Sequence, residues 1–117
     1  MLRRVLVVDD DHDIADSISD VLRAGGYEAV SAGDGQRALD FSDVALVLLD
    51  WRLPVGPSGL PLVRKLRERH GASLPIVVLS ADPLSLTEAR GAQVSDYLPK
   101  PFEVADLLHL VDQYCPA

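Results

Sequence analysis

The sequence holds one cysteine, Cys115, one tryptophan, Trp51, and aromatic residues at only 5% of its 117 positions. A lone cysteine closes no internal disulfide, which excludes a cross-linked secreted scaffold and makes a reducing cytoplasm the expectation. Long apolar runs are missing as well. None approaches the roughly 18 residues of a membrane-spanning helix, and Asp9 interrupts the first apolar stretch before it could act as a signal peptide. Lysine is scarce, with Lys65 and Lys100 standing against nine arginines. The formal charge of −7 leaves no basic surplus for a phosphodiester backbone and argues against direct nucleic-acid binding. His12, His70 and His109 share no metal-ligand spacing and read as surface or helix-end residues.

What is present is an ordinary apolar fraction, 48%, broken into short runs. A chain of this length is expected to form one domain over residues 1–117 and to bury roughly two-thirds of its unfolded surface. The Met1 start favours a free N-terminus, whereas the end at Ala117 fits a stand-alone protein or a piece of a longer one. Val44–Leu49 reads as a strand: its run Ala45 to Leu49 has no alternation of apolar and polar residues, which marks a strand covered on both faces, and it ends on Asp50. Val5–Val8, Tyr27–Ala32, Ile76–Leu79 and Tyr97-Leu98 read as further strands. Between them lie helical stretches. Ile14, Ile18, Val21 and Leu22 form one apolar stripe, with Asp11 or Asp13 as cap and Gly25-Gly26 as stop. Ala38, Leu39 and Phe41 give a helix of about two turns before Asp43. Leu60, Leu62, Val63 and Leu66 give a helix ending near His70-Gly71. Pro83–Ala92 is short and helix-permissive, and Val104, Leu107, Leu108 and Val111 form the last helix. Five alternations of strand and helix predict an α/β fold around a parallel sheet.

In such a sheet the carboxyl ends of all strands share one edge, where chemistry collects. Asp9 and Asp10 follow the first strand, Asp50 the third, Ser80 the fourth and Lys100 the fifth. Three carboxylates brought together need a counter-charge. Mg²⁺, with its preference for hard oxygen ligands, suits them, and Mn²⁺ is the alternative. Lys100 adds a compact positive charge for phosphate oxygens, and Ser80 adds a hydroxyl. The set forms a receptor for a phosphoryl group carried on Asp50 as nucleophile. Taken singly, each residue has a plainer role: a carboxylate after a strand is commonly a helix cap, and the acid excess also serves solubility.

The segments V-L-V-V-D-D, L-L-D-W-R-L-P, V-V-L-S-A and Y-L-P-K-P-F, in that order, resemble the receiver domain of two-component response regulators along essentially the whole chain. The resemblance implies a flavodoxin-like, doubly wound (βα)5 fold with strand order 2-1-3-4-5. It implies Asp50 as phosphoacceptor, with Asp9, Asp10, Asp50 and the backbone carbonyl of Arg52 holding the metal. Ser80, Ala81 and Lys100 would bind phosphate, Ser80 and Tyr97 would act as the switch, and the Lys100–Pro101 bond would be cis. Implied partners are a sensor histidine kinase or histidine phosphotransfer protein, and a downstream protein on the surface of the fourth helix, fifth strand and fifth helix. Arg52 and Asp82, each two residues beyond a pocket residue, are expected to pair across the mouth and slow loss of the phosphoryl group. Trp51, beside Asp50, is expected to report on the pocket.

Departures from the family pattern are equally legible. The loop after Pro54 reads one residue long and carries Ser58 where an acid often precedes the glycine. The second helix segment reads about three residues short, and the segment from Ser80 to Lys100 about two short. Gln93 stands where a helix-ending glycine is usual, so a left-handed cap there would strain a residue with a side chain. Two other readings compete. A small Mg²⁺-dependent phosphohydrolase would commonly carry an acid two residues after the nucleophile, where this chain has Arg52, so the chain is not expected to be an enzyme beyond its own phosphotransfer and autodephosphorylation. The alternative is an interaction module of the same fold that acts without phosphorylation, against which the complete set Asp9, Asp10, Asp50, Ser80 and Lys100 weighs.

Overall fold

The computed structural model describes residues 3–116. Five strands alternate with five helices: β1 (Arg4–Val8), α1 (His12–Ala24), β2 (Glu28–Ala32), α2 (Gly35–Ala38), β3 (Leu46–Asp50), α3 (Gly59–His70), β4 (Ile76–Ser80), α4 (Pro83–Gly91), β5 (Asp96–Pro99) and α5 (Val104–Tyr114). The strands pair in parallel in the order β2-β1-β3-β4-β5. This is the α/β doubly wound order that the resemblance implies. The chain winds one way from β1 to β2 and the other way from β3 onward, so the switch point lies between β1 and β3, and in open α/β sheets ligands settle just beyond the strand ends there.

Strand residues alternate between the two faces. Leu6, Val8, Val47, Leu49, Ile76 and Val78 join the core that includes Leu62, Val63 and Leu66 of α3. Val5, Val7, Leu46, Leu48, Val77 and Leu79 join the core with Ala15, Ile18 and Leu22 of α1 and Leu107 and Val111 of α5. Both faces are therefore covered, which is why Val5–Val8, Leu46–Leu49 and Ile76–Leu79 run apolar without alternation. Truncating any one of these leucines to alanine would cost about 2–5 kcal/mol. Tyr27, just before β2, is buried and donates its hydroxyl to Asp112 of α5; burial first, then this bond and the nearby charge, push its phenol up to about 12.

The helix ends follow local chemistry. Asp11 caps α1 by accepting from Asp13 N at 3.0 Å and Ile14 N at 3.2 Å, and Gly26 takes the left-handed turn at its end (φ 93°). β3 begins at Leu46 rather than Val44, although Val44 is buried. α2 is a single turn that starts earlier than the sequence reading placed it, because the Asp34 side chain caps Arg37 N at 2.8 Å. Leu39 and Phe41 fall beyond it and pack half-buried against the core. The chain then turns into β3 through Asp43 at φ 55°. Gln93, at φ 58°, adopts the left-handed conformation after α4 that the sequence reading anticipated.

Candidate functional site

Parallel pairing brings the ends of β1, β3, β4 and β5 to one edge, and with them five of the residues singled out above. Asp9 follows β1 directly and is only 2% exposed. Its main-chain N–H is held by Ala32 O at 3.1 Å, its Oδ1 accepts from Asp11 N at 3.0 Å, and its Oδ2 accepts from Lys100 Nζ at 2.9 Å. Asp10 is exposed. Asp50, the last residue of β3, is half-buried. One carboxylate oxygen from each of Asp9, Asp10 and Asp50 can be chosen so that all three lie within 4.8 Å of one another.

That crowding shows in the proton affinity of Asp50. Burial raises its pKa from 3.8 to about 6; the Lys100 charge pulls it down, Asp9 and Asp10 push it up, and a hydrogen bond from the Arg52 main-chain N–H lowers it. Three acids against one ammonium leave an excess of negative charge in a partly dry site, and every donor atom is a hard oxygen. This set fits a small divalent cation such as Mg²⁺ or Mn²⁺. A soft or nitrogen-seeking metal would find no ligand among these side chains.

The facing wall comes from β4 and β5. Ser80 is buried, and its Oγ accepts from Asp82 N at 3.1 Å. Its carbonyl accepts from Lys100 N at 2.9 Å and from the Tyr97 hydroxyl at 3.3 Å. Tyr97 is therefore half-buried, laid along β4 and packed on the core. Ala81 is exposed and borders an open cleft of about 390 Å³ shared with Ile14, Lys100, Pro101 and Phe102. The Lys100–Pro101 bond is cis.

Arg52 is exposed and turns away from β3 toward α4. Its Nε meets Asp82 Oδ2 at 3.2 Å, so the expected ion pair is present, and its Nη2 meets Glu88 Oε1 at 2.9 Å. Asp82 also caps α4, accepting from Leu84 N at 3.0 Å. Glu88 was not foreseen. Its other oxygen accepts from Trp51 Nε1 at 2.8 Å, and this bond first, together with the Arg52 charge, lowers its carboxyl pKa. The sequence held one hint: an indole N–H beside a core strand needs an acceptor. His12 and His109 are exposed. His70 ends α3 with its Nε2 buried and without a partner among the described residues, and burial lowers its pKa.

The response regulator receiver domain family matches residues 5–112. Among curated proteins, response regulator RppA of Synechocystis is 39% identical over 112 residues, covering 90% of this chain and 47% of that protein. The transcriptional regulatory protein CpxR of Escherichia coli is 32% identical over 111 residues, covering 92% of this chain and 47% of that protein. The chain thus spans about half the length of the curated relatives it matches. Among solved structures, chemotaxis protein CheY4 of Vibrio cholerae superposes with a TM-score of 0.87 at 28% identity, covering 97% of this chain and 99% of that one. A Francisella response regulator receiver domain superposes with a TM-score of 0.82 at 30% identity, covering 96% and 95%.

Proposed function

The chain belongs to the response regulator receiver domain family, and on that premise we propose that Asp50 accepts a phosphoryl group from a phosphohistidine on a sensor kinase or phosphotransfer protein. The observation that carries this reading is the meeting of Asp9, Asp10 and Asp50 oxygens within 4.8 Å beside Lys100. An Asp50 oxygen attacks phosphorus, the P–N bond breaks as the O–P bond forms, and the imidazole leaves with the electron pair and takes a proton from solvent. With a pKa of about 6, Asp50 is ionised in about nine of ten molecules at pH 7.

Asp9, Asp10, Asp50 and the Arg52 carbonyl would hold Mg²⁺ or Mn²⁺, which when bound neutralises oxygen charge on the transferring group. Lys100 reaches the same oxygens from the β5 side, swapping part of its contact with Asp9 for phosphate. The Ser80 hydroxyl and Ala81 N–H supply donors from β4. Ser80 rotates away from Asp82 N to do so, and Tyr97 follows into the space beside it. The altered face of α4, β5 and α5 then meets a downstream protein. Arg52 and Asp82, paired at the mouth, hinder the attacking water and lengthen the life of the acyl phosphate. The domain's own chemistry ends there, with transfer to Asp50 and hydrolysis from it.

The test is labelling with radioactive acetyl phosphate. Label that requires Mg²⁺ and is lost in Asp50→Asn supports the reading. Absence of label in the unaltered protein, under conditions that label a known receiver, overturns it in favour of an interaction module that works without phosphate.

A further inference from the structure

α4 rests on the sheet through small side chains. It buries Ser85 and Ala89. The Ser85 hydroxyl is buried and has no hydrogen-bond partner among the described residues, and Leu84 faces solvent at 66% exposure. Burying so little apolar surface gains little from the hydrophobic effect, so polar contacts weigh heavily in where this helix sits.

Glu88 makes two of them at once. Its Oε2 accepts from Trp51 Nε1 at 2.8 Å and its Oε1 from Arg52 Nη2 at 2.9 Å. Arg52 extends the hold to the helix start through Asp82, at 3.2 Å. The Trp51 end is a firm anchor. The indole is 2% exposed, and Gly59 lies so near that a Cβ there would come within 3.5 Å of Trp51 Cε2. The Trp51 carbonyl is held in turn by Gly59 N at 3.1 Å. Trp51 and Arg52 are also the two residues that follow Asp50 in the chain.

We propose that Glu88 is a positioning residue that fastens α4 to the segment immediately after Asp50, so that a change of state at Asp50 reaches α4 through Trp51 and Arg52. The fastening stands on its own geometry; the transmission rests on the reading of Asp50 given above. A displacement of residue 50 carries the indole and the guanidinium with it, and both are bonded to a single carboxylate on α4. New negative charge at Asp50 also competes with Glu88 for Arg52. Either effect gives α4 a differential interaction between two states, which a transmitted change requires.

The experiment measures amide hydrogen exchange over α4, first on the ligand-free full chain. Trp51→Phe, which loses one hydrogen bond, should speed exchange of α4 amides by roughly five-fold, and Glu88→Ala, which loses the Trp51 and the Arg52 contacts together, by at least as much, with β1 and β3 amides unchanged. Glu88→Gln, which keeps one acceptor oxygen, should fall between. The double variant Glu88→Ala/Trp51→Phe should be no faster than Glu88→Ala alone. Unchanged α4 exchange in both Glu88 variants, or strictly additive effects in the double variant, overturns the fastening. The second measurement adds Mg²⁺ with beryllofluoride, binding being read separately by fluorine NMR. Glu88→Ala should bind the probe as the unaltered protein does, yet lose most of the α4 response; an undiminished response overturns the transmission. If the unaltered protein gives no bound fluorine signal, the reading of Asp50 falls and the transmission with it, while the ligand-free measurement still decides the fastening.

Discussion

Replacing Asp50 with asparagine should make the protein more stable in metal-free buffer, and only above about pH 4. The group's pKa stands at about 6 in the folded chain against an ordinary 3.8. Between those values the folded state binds more protons than the unfolded one, so stability falls as pH rises from about 4 to about 6 and stays low above that. The full shift of about two units corresponds to about 3 kcal/mol. Asp50 is only half-buried, and screening at the open mouth reduces this to about 1–2 kcal/mol. Asparagine has the same shape and no charge to desolvate. Urea unfolding in EDTA at pH 4, 5, 6 and 7.5 should therefore show curves that coincide at the lowest pH and separate progressively, with Asp50→Asn ahead by about 1–2 kcal/mol at pH 7.5, or roughly 4–10 °C in Tm. Adding Mg²⁺ at ten times its Kd should return about 1.4 kcal/mol to the unaltered protein and little to the variant. A difference that is the same at pH 4 and pH 7.5, or an asparagine variant that is the less stable one at pH 7.5, would refute the reasoning.

Arg52→Ala should shorten the lifetime of the phosphorylated protein, followed as loss of radiolabel after the donor is removed; an unchanged or slower decay counts against the pairing with Asp82. Gly35→Ala should destabilise by about 3 kcal/mol in urea, because its Cβ would fall 1.8 Å from Pro57 O, a backbone atom that moves only if the whole loop moves. Gln93→Gly should stabilise by about 1 kcal/mol in the same assay by relieving the left-handed strain at φ 58°; no gain would mean that the turn accommodates the side chain without cost.

Much of the site was legible because the topology does the gathering. A strand covered on both faces, such as β3, shows itself as an unbroken apolar run, and a carboxylate at its end has a predictable address. The same holds for Asp9 after β1, Ser80 at the end of β4 and Lys100 after β5. Backbone conformation was legible wherever one residue type is expected and another stands, as at Gln93. Side-chain pairing was less so. Glu88 looks like any solvated acid on a helix, and its partner Trp51 lies 37 residues earlier in sequence; nothing in local pattern connects them. Lys100 was read as a phosphate-binding charge, and in the structure it is bonded to Asp9, because an ammonium beside a buried carboxylate pairs with it. The extent of α2 was misread because Leu39 and Phe41 keep the spacing of an apolar helix face while serving the core from an irregular segment.

Two departures that looked independent in sequence meet in the structure. The segment after β2, which reads as short against the family pattern, and the loop after Pro54, which reads as long, lie against each other: Gly35 N reaches Val55 O at 3.4 Å, and a Cβ on Gly56 would come 3.1 Å from Gln36 N. The loop thus covers the single turn of α2 through glycines that admit backbone against backbone. That loop runs on to Gly59, which holds the Trp51 carbonyl and flanks its ring. Contacts at α2 therefore extend, through the loop, to the residue next to Asp50, which Glu88 also reaches from α4. Trp51 is the point where the α2–loop pair and α4 both bear on the pocket. Changes at Gly35 should accordingly disturb the Trp51 environment even though neither residue contributes an atom to the acid cluster.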